Sequence, residues 1–135
     1  DYDSFLKINR PKYDDSWQRW NKTLEMLADL DTRTVLRVTL IKDWNDSEEM
    51  ISGFKSIFEK SNAHFIELKS YMHIGRSTNR LEYENMVEMN DVRKFSEKIV
   101  EKSDRFEVMD ESEVSRIVVL QNKKRFTERY LTAYA

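Results

Sequence analysis

The sequence predicts an α/β domain with a parallel sheet. Three segments carry apolar residues at spacings of three and four, which is typical of helices that pack one face on a core. Short β-branched and aliphatic runs between these segments indicate strands. Strands joined by helical crossovers of this length form right-handed units, in which the strands are parallel and the helices lie on the outer face of the sheet.

The first predicted helix runs from about Asp15 to Leu30. Asp15 with Gln18 three positions later indicates a capping box at its start. Its apolar stripe consists of Trp17, Trp20, Leu24, Leu27 and Leu30. The first strand follows at 33–42, where the sequence RTVLRVTLIK is β-branched, aliphatic and free of glycine and proline.

A second helix is predicted to extend to about Lys60. Asp46 and Glu49 form another capping-box pattern at its start. Its apolar stripe consists of Met50, Ile51, Phe54, Ile57 and Phe58. The second strand is expected at 64–70, where the sequence is HFIELKS.

The polar segment 71–90 is long for a loop in a small domain, so we expect it either to be functional or to contain a short helix. A third main helix follows, and its apolar positions are Val92, Phe95, Ile99 and Val100. Residues 106–109 and 114–120 predict two further strands, and a charged tail follows them.

Composition excludes several classes of protein. The chain has 23 Lys and Arg against 25 Asp and Glu, so nucleic-acid binding requires a local basic patch. With no cysteine and only two histidines, the chain has no disulfide framework, thiol nucleophile, self-contained iron–sulfur cluster or His-rich metal site. No apolar run approaches the roughly 20 residues of a membrane span and nothing resembles a signal peptide, so we expect a cytoplasmic protein. Because the chain starts at Asp1 rather than Met, we expect it to be a piece of a longer protein.

Side-chain alternation places charged groups on one face of the first two strands. The apolar face, which helices should cover, consists of Leu36, Val38, Leu40, Ile66 and Leu68. The opposite face carries Arg37, Thr39, Glu67 and Lys69. Two explanations remain open: a solvated face with a structural Arg37–Glu67 pair, or the lumen of a β/α barrel near its mouth.

Four ordered motifs give a specific resemblance. They are TLIKDWND at 39–46, FIELKSYMHIG at 65–75, STNRL at 77–81 and SEVSRIVVLQN at 112–122. With them the sequence resembles the wybutosine-synthesising radical SAM enzymes, the tRNA 4-demethylwyosine synthases. The similarity covers essentially the whole chain, and IELKSYMHIG is its most specific part.

The resemblance implies the C-terminal half of a partial (β/α)6, TIM-like radical SAM barrel as one piece, residues 1–135. Such enzymes use S-adenosylmethionine and a [4Fe–4S] cluster on a CxxxCxxC motif, and they condense N1-methylguanosine in phenylalanine tRNA with pyruvate. The cysteine motif, the glycine-rich SAM motif and the lysine proposed to hold pyruvate would all lie upstream. Some members also carry a flavodoxin-like FMN domain. The chain alone is therefore expected to be inactive, and its unpaired first strand is expected to drive self-association.

The resemblance also implies site residues, because ligands of α/β folds bind beyond the carboxyl ends of the strands. The expected S-adenosylmethionine contacts are Thr39, Asn45, Tyr71, Met72 and His73; for Asn45, helix capping beside Asp46 is the alternative. The expected catalytic residues are Arg37, Glu67 and Lys69, although Lys69 is more readily explained as a structural partner of Glu67. The expected tRNA contacts are Arg76, Asn79, Arg80 and Arg116.

Two further basic or titratable groups have competing interpretations. The tail, with Lys123, Lys124, Arg125 and Arg129 around Phe126 and Tyr130, is either a second RNA-binding cluster or simply solvated. His73 is either a proton carrier or a hydrogen-bonding surface residue, whereas His64, at a strand start, is expected to be structural. For the whole chain, a non-catalytic RNA-binding or scaffolding module derived from the same barrel remains the alternative function.

Overall fold

Helices and strands alternate along residues 1–130, which are the residues that the computed structural model describes. The elements are α1 (Tyr2–Asn9), α2 (Ser16–Asp29), β1 (Val35–Leu40), α3 (Glu48–Ser61), β2 (Phe65–Ser70), α4 (Met89–Glu101), β3 (Phe106–Ser112) and β4 (Ile117–Asn122). The three long helices and the four strands confirm the predicted elements, although β4 begins at Ile117 rather than at residue 114. Within the described range no helix is long and apolar enough to cross a membrane.

The four strands form one mixed sheet in the order β1–β2–β4–β3. β1 and β2 are parallel, with Arg37 opposite Glu67 and Thr39 opposite Lys69. β4 is antiparallel to both β2 and β3. The prediction of an all-parallel sheet is therefore wrong for β4, which runs opposite to β1, β2 and β3. The reason is the short connection 113–116, because a parallel crossover needs a dozen or more residues whereas a hairpin needs only a few.

α1 is not among the predicted elements. Its start is capped by Asp1, whose Oδ1 accepts a hydrogen bond from the backbone N–H of Ser4 at 2.8 Å. It ends at Arg10, which adopts a left-handed φ of 47° directly before Pro11. Arg80 holds this end of the helix by donating hydrogen bonds to the carbonyl oxygens of Lys7 and Ile8, each at 3.2 Å.

Both predicted capping boxes are wrong, although the helices that they were meant to start are present. Asp15 precedes α2, but its carboxylate accepts a hydrogen bond from the Arg19 side chain at 2.7 Å and caps no backbone N–H. Ser47 is the residue before α3, and Asp46 accepts a hydrogen bond from the backbone of Asp43 at 2.8 Å. In both places a nearer donor takes the carboxylate.

The main core lies between the sheet and helices α3 and α4, as the apolar face of the strands predicts. Leu40, Ile66 and Leu68 are completely buried there. The helices contribute Ile51, Phe58, Val92, Phe95 and Ile99 to the same cluster. The opposite face of β1 and β2 differs: Arg37 and Thr39 are exposed, and Glu67 and Lys69 are only half-buried. Among residues 1–130, β1 pairs with β2 alone and is an edge strand.

The connection between β2 and α4 contains two short 3-10 helices, Gly75–Asn79 and Tyr83–Asn85, which confirms the short-helix alternative for this segment. It is anchored by a second apolar cluster in which Ile41, Tyr71 and Leu81 are buried. Ile8 of α1 packs against this cluster together with Trp44 and Met86. The end of α1 and the long connection therefore form one surface at the carboxyl ends of β1 and β2.

Candidate functional site

The carboxyl ends of the two parallel strands place segments 41–45 and 71–75 side by side. Leu40 lies opposite Ser70 in the register, and the backbone N–H of Tyr71 donates a hydrogen bond to the Leu40 carbonyl oxygen at 2.7 Å. β4 begins at this same edge, since the N–H of Ser70 donates to the carbonyl oxygen of Arg116 at 3.0 Å. The segments at which the sequence predicts a ligand therefore form one contiguous region, here called the ligand edge.

Asn45 closes the turn that follows β1. Its side chain is buried, and Oδ1 accepts a hydrogen bond from the backbone of Ile41 at 2.7 Å while Nδ2 donates to the carbonyl oxygen of Thr39 at 3.0 Å. The helix-capping alternative is wrong, because Ser47 rather than Asn45 precedes α3. The Thr39 side chain points to the other, exposed side of the strand.

Tyr71, Met72 and His73 leave β2 at the same edge. Tyr71 is 5% exposed, and its hydroxyl lies 3.0 Å from Nδ1 of His73. Met72 is exposed. In residues 1–130 the backbone N–H groups of Met72 and His73 donate no hydrogen bond, so both are available to a ligand.

The three predicted catalytic residues lie on the half-exposed face of β1 and β2. Nη2 of Arg37 donates a hydrogen bond to Oε2 of Glu67 at 3.0 Å. Nε of Arg37 lies 2.9 Å from Oε1, but this buried oxygen receives no hydrogen bond, because the N–H is not directed at it. Lys69 has no carboxylate within 4.0 Å in the part of the chain that the structure describes, so the suggested Lys69–Glu67 partnership is wrong.

The side chains of the four predicted RNA contacts differ in how many contacts they make with the rest of the protein. Arg76 and Asn79 are exposed on the first 3-10 helix. Arg80 is held by α1, and Arg116 donates to the Val87 carbonyl oxygen at 3.3 Å and lies 3.4 Å from the Glu88 carboxylate. All four side chains belong to segments that meet at the ligand edge, but within residues 1–130 only Arg76 and Asn79 lack protein partners that fix their side chains.

The basic tail lies elsewhere. It leaves β4 beside His64, at the opposite ends of the strands, where the Asn122 N–H donates to the His64 carbonyl oxygen at 2.9 Å. Arg125 donates to the Leu27 and Asn62 carbonyl oxygens, and Lys124 pairs with Asp104. These cations tie the tail to the domain, a role that neither of the two interpretations of the sequence predicted.

His64 has the structural role expected of it. It is buried, and its Nδ1 accepts a hydrogen bond from the backbone N–H of Thr34 at 3.1 Å. Burial lowers the pKa of His64, and the positive charges of Arg125 and Arg33 lower it further. The ring is therefore held in its neutral form.

Sequence reasoning missed a cleft of about 360 Å³ between α1, α2, α3 and β1. Arg37, Thr39 and Asn45 contribute to its wall, and its aromatic side is formed by Phe5, Trp17 and Trp20. Trp17 and Trp20 stack with ring centroids 5.3 Å apart. The signal for it lay in the first ten residues, where Asp1 and Ser4 provide a cap and Phe5 and Ile8 share a helical face.

The described residues do not fit an iron–sulfur cluster or another metal centre. The sequence has no cysteine, and residues 1–130 contain no group of three or more metal-binding side chains.

Residues 60–122 match a family model described as wyosine base formation. Residues 60–122 therefore form a wyosine base formation domain. The matched range runs from the end of α3 to the end of β4 and contains nine of the predicted site residues, from Glu67 to Arg116. Arg37, Thr39 and Asn45 lie before it.

Relatives in this family are similar over nearly the whole chain. An S-adenosyl-L-methionine-dependent tRNA 4-demethylwyosine synthase of Methanocaldococcus jannaschii is 38% identical over 125 residues, which is 93% of this chain and 38% of that protein. Its counterpart in Homo sapiens is 32% identical over 123 residues, covering 90% of this chain and 16% of that protein. The chain thus spans about two-fifths of its archaeal relative.

Two solved structures share the fold. A structure of TYW1 with a lysine–pyruvate adduct bound superposes with a TM-score of 0.80 at 36% identity, covering 93% of this chain and 38% of that one. A crystal structure of archaeal TYW1 gives a TM-score of 0.71 at 31% identity, covering 93% and 37%. The mixed α/β fold is therefore that of this family.

Proposed function

We propose that this chain is the C-terminal part of a radical SAM tRNA-modifying lyase that condenses N1-methylguanosine in phenylalanine tRNA with pyruvate. The product is 4-demethylwyosine, a step of wybutosine biosynthesis in the cytoplasm. The observation that carries the proposal is the similarity, over 93% of the chain, to a synthase of this name and to TYW1 with a lysine–pyruvate adduct. Alone, the chain is inactive in this proposal.

In the complete enzyme, β1 and β2 would be two neighbouring strands of a partial (β/α)6 barrel. Three charged residues on one face of these strands support this arrangement, because the lumen side of a barrel mouth commonly carries polar groups. Arg37 and Glu67 would fix each other at the wall. Lys69, whose amine has no carboxylate within 4.0 Å among residues 1–130, would attract the carboxylate of pyruvate.

The cofactors divide between this chain and the rest of the enzyme. The [4Fe–4S] cluster would be held by cysteines outside this chain, because the sequence has none. S-adenosylmethionine supplies the radical chemistry when bound. This chain would contribute Thr39 and Asn45 from one strand end and the backbone of residues 71–73 from the other, where two N–H groups are available. FMN would belong to a separate flavodoxin-like domain.

The tRNA would approach the same edge. Arg76 and Asn79 are exposed there and would contact the RNA backbone directly. Arg80 and Arg116 already serve α1 and the start of α4, so their contribution would be to shape the surface as well as to add positive charge.

The test replaces the matching segment of the Methanocaldococcus jannaschii relative with this chain and measures 4-demethylwyosine in N1-methylguanosine tRNA by mass spectrometry. We expect the chimera to form the base with pyruvate and S-adenosylmethionine. A Lys69→Ala chimera should lose most of this activity, and the Lys55→Ala control should keep it. The 135 residues alone should cleave no S-adenosylmethionine.

A folded chimera that binds tRNA but never forms the base would instead favour the non-catalytic RNA-binding module. Cleavage of S-adenosylmethionine by the isolated chain would contradict the assignment of the cluster to another part of the enzyme.

A further inference from the structure

Tyr71 and His73 form a polar pair at the ligand edge. Tyr71 belongs to the second apolar cluster and is almost fully buried, so its hydroxyl has little access to water. Nδ1 of His73, at 3.0 Å, is the hydrogen-bond partner of that hydroxyl within the described residues. Because a buried hydroxyl without a partner is unfavourable, this contact fixes one side of the imidazole.

The chemistry of the two groups decides which atom carries the proton. A phenol is a stronger donor than a neutral imidazole N–H, and an unprotonated imidazole nitrogen is a stronger acceptor than a phenolic oxygen. The hydroxyl of Tyr71 therefore donates to Nδ1, which leaves the proton of the neutral ring of His73 on Nε2. Tyr71 is a positioning residue for His73.

The ring of His73 is also held in orientation. The rings of Tyr71 and Tyr83 meet it edge-on, each with centroids 6.1 Å apart. Within residues 1–130, Nε2 of His73 has no hydrogen-bond partner. His73 itself is half-buried, and the neighbouring Tyr83 is 64% exposed, so the pair lies at the surface of the domain.

We propose that His73, held by Tyr71 with its proton on Nε2, donates a hydrogen bond from Nε2 to a phosphate oxygen of bound RNA. The proposal rests on the proposed function, which supplies the RNA. Arg76 supports a phosphate rather than another acceptor, because it is exposed three residues further along and has no carboxylate within 4.0 Å in residues 1–130. A directional donor and a guanidinium on the same short segment suit a phosphodiester.

The tautomer is tested by long-range ¹H–¹⁵N correlation spectra of the 135-residue chain, in which only His64 and His73 contribute ring signals. We expect His73 to be in the Nε2–H form in the wild type and in a mixture of both tautomers in Tyr71→Phe. Tyr83→Phe, which keeps the ring and removes a hydroxyl not bonded to His73, should leave the signals unchanged. An Nδ1–H wild type, or no change in Tyr71→Phe, overturns the positioning role.

The contact is tested by binding of a phenylalanine tRNA anticodon stem-loop to the same chain. The side-chain amide nitrogen that His73→Gln introduces would lie near the position of Nε2, whereas the one that His73→Asn introduces would lie near Nδ1. We therefore expect His73→Gln to bind within about twofold of the wild type and His73→Asn to bind about tenfold more weakly.

The outcomes separate the two proposals. If His73→Gln and His73→Asn both bind the RNA as tightly as the wild type does, the His73 contact is overturned and the proposed function stays intact. No RNA binding by the wild type overturns the RNA role on which this inference rests, whatever the tautomer. Shifts of the His73 signals by S-adenosylmethionine but not RNA overturn the choice of ligand, as do equal shifts by inorganic phosphate at the concentration of the RNA.

Discussion

Arg37 and Glu67 lie opposite each other in the parallel register of β1 and β2, yet among the described residues only one oxygen of Glu67 accepts a hydrogen bond. The Arg37 side chain is 65% exposed and that of Glu67 is 15% exposed. Only the Glu67 member of the pair is thus largely buried. Water screens the guanidinium, whereas the carboxylate depends on the contact with Arg37.

The first prediction concerns the stability of this pair. Arg37→Ala leaves a largely buried carboxylate without its partner, and we expect it to lower the free energy of unfolding by about 1–2 kcal/mol. This is less than the loss from a fully buried ion pair, because solvent reaches Arg37. Urea denaturation measures the effect.

Lys55→Ala is the control for this prediction, since Lys55 lies 3.7 Å from Glu59 in a partly exposed helix pair, and its effect should stay within about 0.5 kcal/mol. Replacing Arg37 and Glu67 together by Met and Leu should recover part of the stability but no base-forming activity in the chimera. Equal stability of Arg37→Ala and Lys55→Ala would show that the face is a solvated surface.

The edge of β1 leads to the second prediction. Among residues 1–130 it presents unpaired backbone groups beside Val35, which is 53% exposed, so we expect the isolated chain to form dimers or larger assemblies. Val35→Lys should reduce this association, because a charged side chain on an edge opposes pairing. Light scattering over a concentration series measures it.

Val114→Lys serves as the comparison for the edge, because Val114 is 95% exposed on the hairpin turn away from β1, and it should leave association unchanged. A wild-type chain that stays monomeric at high concentration contradicts the prediction.

The three long helices and the four strands were predictable because each follows from local periodicity, whereas α1 was not predicted. The apolar stripes of α2, α3 and α4 and the alternation in β1 and β2 placed these elements and their buried faces. The reversed direction of β4 was also encoded, in the four residues 113–116 between β3 and β4, but individual strand patterns carry no information on direction.

The site was predictable only at the level of segments. Asn45 was placed at the ligand edge, but its hydrogen bonds to Ile41 and Thr39 depend on a turn geometry that spacing does not reveal. Arg80 was chosen for its charge, whereas the structure shows it in contact with α1. Its partners there, Lys7 and Ile8, precede it by 73 and 72 positions along the chain. Such long-range contacts leave no periodic signal.

The third prediction separates the structural role of Arg80 from its charge. Arg80→Ala removes two hydrogen bonds to the last turn of α1, so amide exchange should accelerate in α1 but not in α4. Arg76→Ala, which removes the same charge from an exposed site, should leave both helices unchanged. Hydrogen exchange followed by NMR measures this, and equal protection of α1 in both variants would contradict the role.

The fourth prediction is a loss of stability in mild acid that arises from His64. The pKa of His64 is lowered below 6.5 in the folded chain by burial, so at a pH below 6.5 the unfolded chain binds more protons than the folded one. Stability therefore falls as the pH decreases through 6.5, by at most about 1.4 kcal/mol at one pH unit below that value.

His64→Asn keeps a polar group near the position of Nδ1 but does not titrate, so its melting temperature should change much less between about pH 7.5 and about pH 5.5 than that of the wild type. The carboxylates with a lowered pKa, those of Glu48, Asp104, Asp110 and Glu111, do not account for a difference in that range. The Lys98 partner lowers the pKa of Glu48 below 4.5, and the stabilisation that results is lost only at still lower pH. If the melting temperatures of wild type and His64→Asn fell equally between about pH 7.5 and about pH 5.5, the role of His64 would be contradicted. The variant lacks the imidazole whose protonation opposes the hydrogen bond from Thr34.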